Sequence, residues 1–242
     1  MYEYELIESE LNTKYIGRVF LQFENIESTT SKCRNISQTC PSGMLVLTED
    51  DMEGNTYLNK DLKNFKNKVL MSLILKLDRN NFNKEHAETL TNCLGAASLL
   101  SVGQEYFEDL TYYWEKVIKG KDFLAEIDSY KSLKSNDKSI ILSFKIHYKD
   151  DLNREVLIGR LLNKIEKNIK LTFVKNQSES VINICSSFLK SKDTYIQVNK
   201  KNRKTVKKIE NIQLNSEGNL AGKHKSEDID INWKDYEVEW CD

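Results

Sequence analysis

Ser187-Phe188-Leu189-Lys190 has the spacing of a serine nucleophile and a lysine base, but the companion motifs of that hydrolase class are absent and chance accounts for it. His86, His147 and His224 fall into neither H-x-x-x-H nor H-E-x-x-H, so no histidine-held metal is expected. Neither G-x-x-x-x-G-K-[ST] nor G-x-G-x-x-G occurs, which removes the common phosphate-cradling loops. Cys33, Cys40, Cys93, Cys185 and Cys241 contain no C-x-x-C pair and are odd in number. That argues against both a metal cluster and a disulfide framework and for reduced thiols, Cys93 being a core residue on an apolar helix face. Basic residues cluster at Lys200, Lys201, Arg203, Lys204, Lys207 and Lys208. A nucleic-acid contact there would be tested by filter binding that weakens steeply with salt. A solvated hairpin face is the preferred reading, because no aromatics are interleaved and the net charge is −1.

These groups must be positioned by the elements that the apolar pattern specifies. Arg18 to Glu24 alternates Val19, Leu21 and Phe23 with polar neighbours, as a half-buried strand does. Met44–Leu47 and Val69–Leu77 are short apolar runs of the kind that form covered strands. Thr48–Lys68 between them is polar and reads as a long surface loop. A helix over Asn83–Gln104, capped by Asn83, puts Leu90, Cys93, Leu94, Ala97 and Ser101 on one face. Strands are expected at Leu110–Ile118, Phe123–Ile127 and Ser139–Tyr148. In the last of these Lys145 and His147 alternate with Phe144, Ile146 and Tyr148, which reads as an exposed polar face. A second amphipathic helix starts near Asp151 and carries Ile158, Leu161, Leu162, Ile165 and Ile169. A short helix follows at Ser178–Lys190, and Tyr195–Trp240 holds four short strand-like pieces.

The chain of 242 residues, 39% hydrophobic and 30% charged, is long enough for one medium domain and a small appended one. The composition shift near Asp193 divides it into 1–192 and 193–242. The start MYEYELIESE is acidic without an apolar stretch, so neither a secretory signal nor a transit peptide is read there. No apolar run approaches the ~18 residues that span a bilayer, and a cytoplasmic location with no membrane contact is expected.

Ile16 to Cys33 (IGRVFLQFENIESTTSKC) is a strand, an acidic-x-x-Ser-Thr turn at Glu27-Ser28-Thr29, and the start of a helix. It resembles the opening of the biotin–protein ligase (holocarboxylase synthetase) catalytic domain. Gly43–Leu47 matches the strand before that family's Gly-Arg loop, and Glu53-Gly54 matches the loop's first step. Leu110–Ile127 is similar to its Lys-Trp-Pro-Asn-Asp strand and the strand that follows, and Ile212–Leu220 to a hairpin of its C-terminal SH3-like module. The resemblance implies an α+β fold: a mixed β-sheet with backing helices, of the class II synthetase and biotin ligase kind, followed by that small β module. The positions it assigns to the ligand pocket are Ser28, Thr29, Glu53, Gly54, Tyr112, Tyr113, Trp114, Phe123, Ala125, Glu126, Ser143, Lys145 and His147.

At those positions the family's chemistry is missing. Asn55 to Asn59 replace the arginines and second glycine of the loop, and a lysine such as Lys60 or Lys63 lacks the planar fork. The signature reads Thr111-Tyr112-Tyr113-Trp114-Glu115, without its lysine. The lysine that would polarise the reacting carboxylate falls on Phe123, and the glycine after it on Glu126. Both glycines of Gly-x-Gly-x-Asn are filled, by Ser143 and Lys145, with His147 at the asparagine. The resemblance therefore implies a catalytically inactive relative acting as a binding or structural subunit in a larger complex, with protein partners and no catalytic residue, cofactor or metal. The alternative it leaves is a divergent biotin- or lipoate-type ligase using ATP, Mg²⁺ and biotin, with Lys121 and Glu115 as the catalytic pair.

Overall fold

A computed structural model describes residues 1–51, 67–114, 116–119, 122–132, 136–148, 152–190, 195–200, 206–231 and 236–241. Helix α1 (Tyr4–Glu10) precedes β1 (Phe20–Ile26), α2 (Thr29–Ile36), β2 (Met44–Asp51) and β3 (Asn67–Lys76). There follow α3 (Arg79–Asn83), α4 (Ala87–Gly103), β4 (Thr111–Tyr112), β5 (Lys116–Lys119), β6 (Phe123–Lys131) and β7 (Ser139–Tyr148). The core part ends with α5 (Arg154–Ile169), a π-helical turn at Lys170–Val174, and α6 (Ser178–Phe188). Strands β8 (Tyr195–Lys200), β9 (Val206–Leu214), β10 (Leu220–His224), β11 (Glu227–Ile231) and β12 (Tyr236–Cys241) complete the chain.

Among the described residues two sheets form. The first is mixed and seven-stranded, ordered β1-β2-β3-β7-β6-β5-β4 with β1 parallel to β2. The second is antiparallel and ordered β11-β10-β9-β8-β12. The architecture is α+β, a mixed sheet with backing helices plus a separate antiparallel sheet. The second sheet holds five strands rather than the four pieces legible in the sequence. The expected boundary near Asp193 lies outside the described residues.

Alternation on the strands splits the large sheet into two unlike faces. Val69, Met71, Leu73 and Leu75 of β3 join Leu142, Phe144 and Ile146 of β7 against Leu94 of α4 and Leu161 and Ile165 of α5. The other face carries a smaller cluster, with Met44, Val46, Ile74 and Ile141 beneath Cys33 of α2. Leu21 and Phe23 pack beside that smaller cluster and stay half-buried. At about 25 cal/mol per Å² of apolar area, the larger cluster supplies most of the driving force, and α2 is left free to shape the second face.

Several boundaries differ from the sequence reading. Asn83 does not cap α4: Asp78 caps the short α3 by accepting from Asn81 N at 2.9 Å, and α4 begins after His86. Helix α5 is capped by Asn153, whose Oδ1 accepts from Val156 N at 3.0 Å; Asp151 lies outside the described residues. The expected Thr48–Lys68 loop is strand as far as Asp51 and strand again from Asn67. Leu110–Ile118 is broken between β4 and β5, where Trp114 sits at φ 67, a left-handed conformation unusual for a bulky residue. Nor do Lys145 and His147 form an exposed face. His147 is only 9% exposed and Lys145 is half-buried, because their side of β7 is covered too.

Candidate functional site

The first turn of α2 is anchored onto the sheet through hydroxyls. Ser28 is the N-cap, its Oγ accepting from Ser31 N at 3.4 Å, which meets one of the orphan donors of the helix end. Beneath it, Ser72 Oγ of β3 donates to Thr29 Oγ1 at 2.8 Å. Ser143 Oγ of β7 lies 2.8 Å from both Ser72 Oγ and Thr30 Oγ1. Four hydroxyls on three elements thus satisfy one another in a buried setting, where an unmade hydrogen bond would be costly.

Beside this network lies a cavity of about 220 Å³. Ser28, Thr30 and Ser31 form its helical wall, and Ser143 and Lys145 of β7 form part of its floor. Glu126, Asp128 and Tyr130 of β6 complete the floor, with Arg34 at the rim. The floor is a register of neighbours, Glu126 opposite Lys145 and Asp128 opposite Ser143.

Two of the lining charges pair with residues outside the lining. Lys145 Nζ lies 3.7 Å from a carboxylate oxygen of Asp51, whose side chain is 1% exposed. Lys116 Nζ of β5 lies 3.5 Å from Glu126 Oε1. The Arg34 guanidinium stacks over the Tyr130 ring at 4.4 Å, a contact worth roughly 0.5–1 kcal/mol at an exposed site. Burial, and after it the charge of Glu126, raises the Asp128 carboxyl above its ordinary range. Burial also lowers His147 to about 4, helped by the charges of Lys68 and Lys145, so its imidazole is neutral at pH 7.

Of the candidate pocket residues, Ser28, Glu126, Ser143 and Lys145 line this cavity, and Thr29 supports it through Ser72. His147 shares the strand face of Lys145, further along β7. The others are placed elsewhere. Phe123 and Ala125 are fully buried on the opposite face of β6, Phe123 packing 4.8 Å from Phe107. Tyr112 is also fully buried in the helix-side core. Tyr113 meets Trp240 of β12 edge-on at 5.5 Å, and Trp114 donates from Nε1 to Gly218 O at 3.2 Å. These two aromatics join the large sheet to the C-terminal one. Glu53, Gly54, Glu115 and Lys121 lie outside the described residues, as do Lys201, Arg203 and Lys204. Lys200 ends β8, while Lys207 and Lys208 are exposed on β9, Lys208 pairing with Glu210 at 2.8 Å.

Sequence reasoning passed over Thr30, Ser31, Arg34, Asp128 and Tyr130. Period-2 alternation from Glu126 would have reached Asp128 and Tyr130, and the turn of a helix opening at Ser28 would have reached Ser31. Among the described residues no group of three or more His, Cys, Asp or Glu is arranged to hold a metal ion. No helix among them is long and apolar enough to cross a membrane.

No protein-family model and no curated protein matches the sequence. Solved structures do. A point mutant of biotin protein ligase from Aquifex aeolicus in complex with biotin superposes with a TM-score of 0.73 at 10% identity, covering 93% of this chain and 99% of that one. The same organism's ligase in complex with biotin and ATP gives 0.70 at 11% identity, covering 92% and 99%. A biotin protein ligase-like protein of unknown function from Silicibacter sp. gives 0.54 at 8% identity, covering 90% and 96%. The fold is that of the biotin protein ligases.

Proposed function

We propose that this chain is a catalytically inactive protein built on the biotin protein ligase fold, serving as a binding or structural subunit of a larger assembly. One observation carries the reading. Glu126, Ser143 and Lys145 occupy the three positions at which the resemblance places pocket glycines, and all three line one small cavity floor on adjacent strands. Glycine is used in such a floor to let a ligand approach the backbone. Side chains on all three narrow that space, and the remaining 220 Å³ is below the ~300–1,000 Å³ of pockets that take ligands of biotin's size and larger.

Electrostatics point the same way. Acyl-adenylate chemistry develops negative charge, which a working site meets with preorganised donors and cations. Here Glu126 and Asp128 present carboxylates to the cavity, and Lys145, whose charge is shared with Asp51, is one ammonium where several preorganised cations are needed. At the lysine position of the resemblance stands Phe123, with its side chain on the far face of the sheet. The lining therefore suits neither biotin nor a nucleotide, and no step through ATP, Mg²⁺ or biotin is assigned to it.

Calorimetric titration of the purified chain with biotin tests this reading. No saturable heat is expected with or without ATP and magnesium, and binding at the micromolar level would overturn it. The subunit role is tested by purification from the source cells under gentle conditions. A stoichiometric partner is expected, and a free chain that turns over ATP would instead support a divergent ligase.

A further inference from the structure

Glu126 and Lys145 are register partners on β6 and β7, the spacing at which opposite charges pair across a sheet. The ion pairs they make run elsewhere, Lys145 to Asp51 at 3.7 Å and Glu126 to Lys116 at 3.5 Å. Both separations exceed the ~2.7–2.9 Å of a charge-assisted hydrogen bond. An ammonium has three donors and a carboxylate about four acceptor positions, so each group keeps hydrogen-bonding capacity for something else in the cavity that they line.

The two sides of that cavity carry opposite polarity. On the β7 side stand Lys145 and the first turn of α2, tied down by the contact of Thr30 with Ser143, where the helix end favours an anion. On the β6 side stand the carboxylates of Glu126 and Asp128. Two cations, Arg34 and Lys145, balance these two acids in the lining, and Lys116 and Asp51 beside it balance each other. A ligand with net charge would upset this balance at a desolvation cost, whereas one with two poles and no net charge would not.

We propose that the cavity binds a small zwitterion of the α-amino-acid class, its carboxylate held by Lys145 and the start of α2, and its ammonium by Glu126 and Asp128. The size of the cavity, about 220 Å³, selects the smaller amino acids. This rests on the reading that the cavity does not bind biotin; the two fail separately, because that reading falls with biotin binding and this one with the loss of amino-acid binding.

Ligand-detected NMR on the full chain is the test, with glycine, alanine and serine as probes and with acetate, methylammonium and biotin as single-pole and family controls. Saturable binding of the amino acids at millimolar concentration is expected, at least about tenfold tighter than acetate or methylammonium. Glu126→Gln and Lys145→Met should each weaken it by about tenfold. Glu126→Gln should leave the unfolding midpoint within a few degrees, since its side chain is partly exposed, while Lys145→Met should lower the midpoint because the buried Asp51 loses its partner. Absence of amino-acid binding, binding of acetate alone with equal strength, or binding unchanged by both substitutions would each overturn the proposal.

Discussion

Trp114 donates its indole N–H to the carbonyl of Gly218, across 104 residues of sequence and from the segment between β4 and β5 to the turn between β9 and β10. The same carbonyl faces Cys93 Sγ of α4 at 3.5 Å, and His86 lies 3.6 Å from Glu217 in the same turn. Gly218 stands at φ 80, and a Cβ added there would lie 2.6 Å from Cys93 Sγ. Both the conformation and the close approach therefore require glycine at this point. The turn between β9 and β10 acts as a key set into the N-terminal half of α4, and Trp114 holds a strained φ against it.

Gly218→Ala should accordingly cost about 1–3 kcal/mol through strain and overpacking, and Trp114→Phe about 1 kcal/mol through the lost hydrogen bond. Calorimetry of the unsubstituted chain should give one cooperative transition for both sheets. Two separate transitions, with Gly218→Ala silent in the larger one, would mean that the turn does not join them.

Stability should depend on pH through His147. Its folded value is about 4 against an ordinary 6.5, so the unfolded chain takes up the proton first as pH falls. The associated stability is intact above pH 6.5 and is lost between about 6.5 and 4, to a total of about 3 kcal/mol. Urea unfolding across that window, repeated on His147→Gln, measures it. The slope should flatten in the variant, and an unchanged slope would assign the titration to another group.

Asp128 carries the opposite sign. Its carboxyl is raised by burial and by Glu126, so the folded state takes up the proton first and the ionised form opposes folding at neutral pH. Asp128→Asn should raise the unfolding midpoint at pH 7, with the gain fading as pH falls through the carboxylate range. A lower midpoint at pH 7 would show that the carboxylate supports the cavity instead.

Leu94→Ala and Leu161→Ala should each cost about 2–5 kcal/mol, since both side chains are fully buried between α4, α5 and the sheet. A shift within error would contradict the packing of those helices.

These two leucines were legible in the sequence because 3.6-residue spacing states which side of a helix is apolar. Helix α1 was not, since Ile7 is its one buried residue and the acids around it give no stripe. Alternation likewise shows that Lys145 and His147 share a face but not what covers it, so the sequence alone leaves both exposed. The site was half legible. Phe123 and Glu126 are three residues apart on one strand, and an odd spacing places them on opposite faces, so a motif read as a continuous string could not be one pocket. The resemblance puts Tyr113 and Trp114 at pocket positions, whereas their contacts are with Trp240 and Gly218, residues more than 100 positions away that local pattern does not reach.

Isotope exchange between pyrophosphate and ATP decides most directly between the proposed inactive role and ligase chemistry. It should be run on the purified full chain with biotin, lipoate and short fatty acids in turn. The proposed reading counts several charge contacts as absent, each worth ~10²–10³ in rate, so it expects exchange to stay at the level without acyl acid for every substrate. Exchange above that level with any of them, abolished by a substitution in the cavity floor such as Glu126→Ala, would contradict an inactive site.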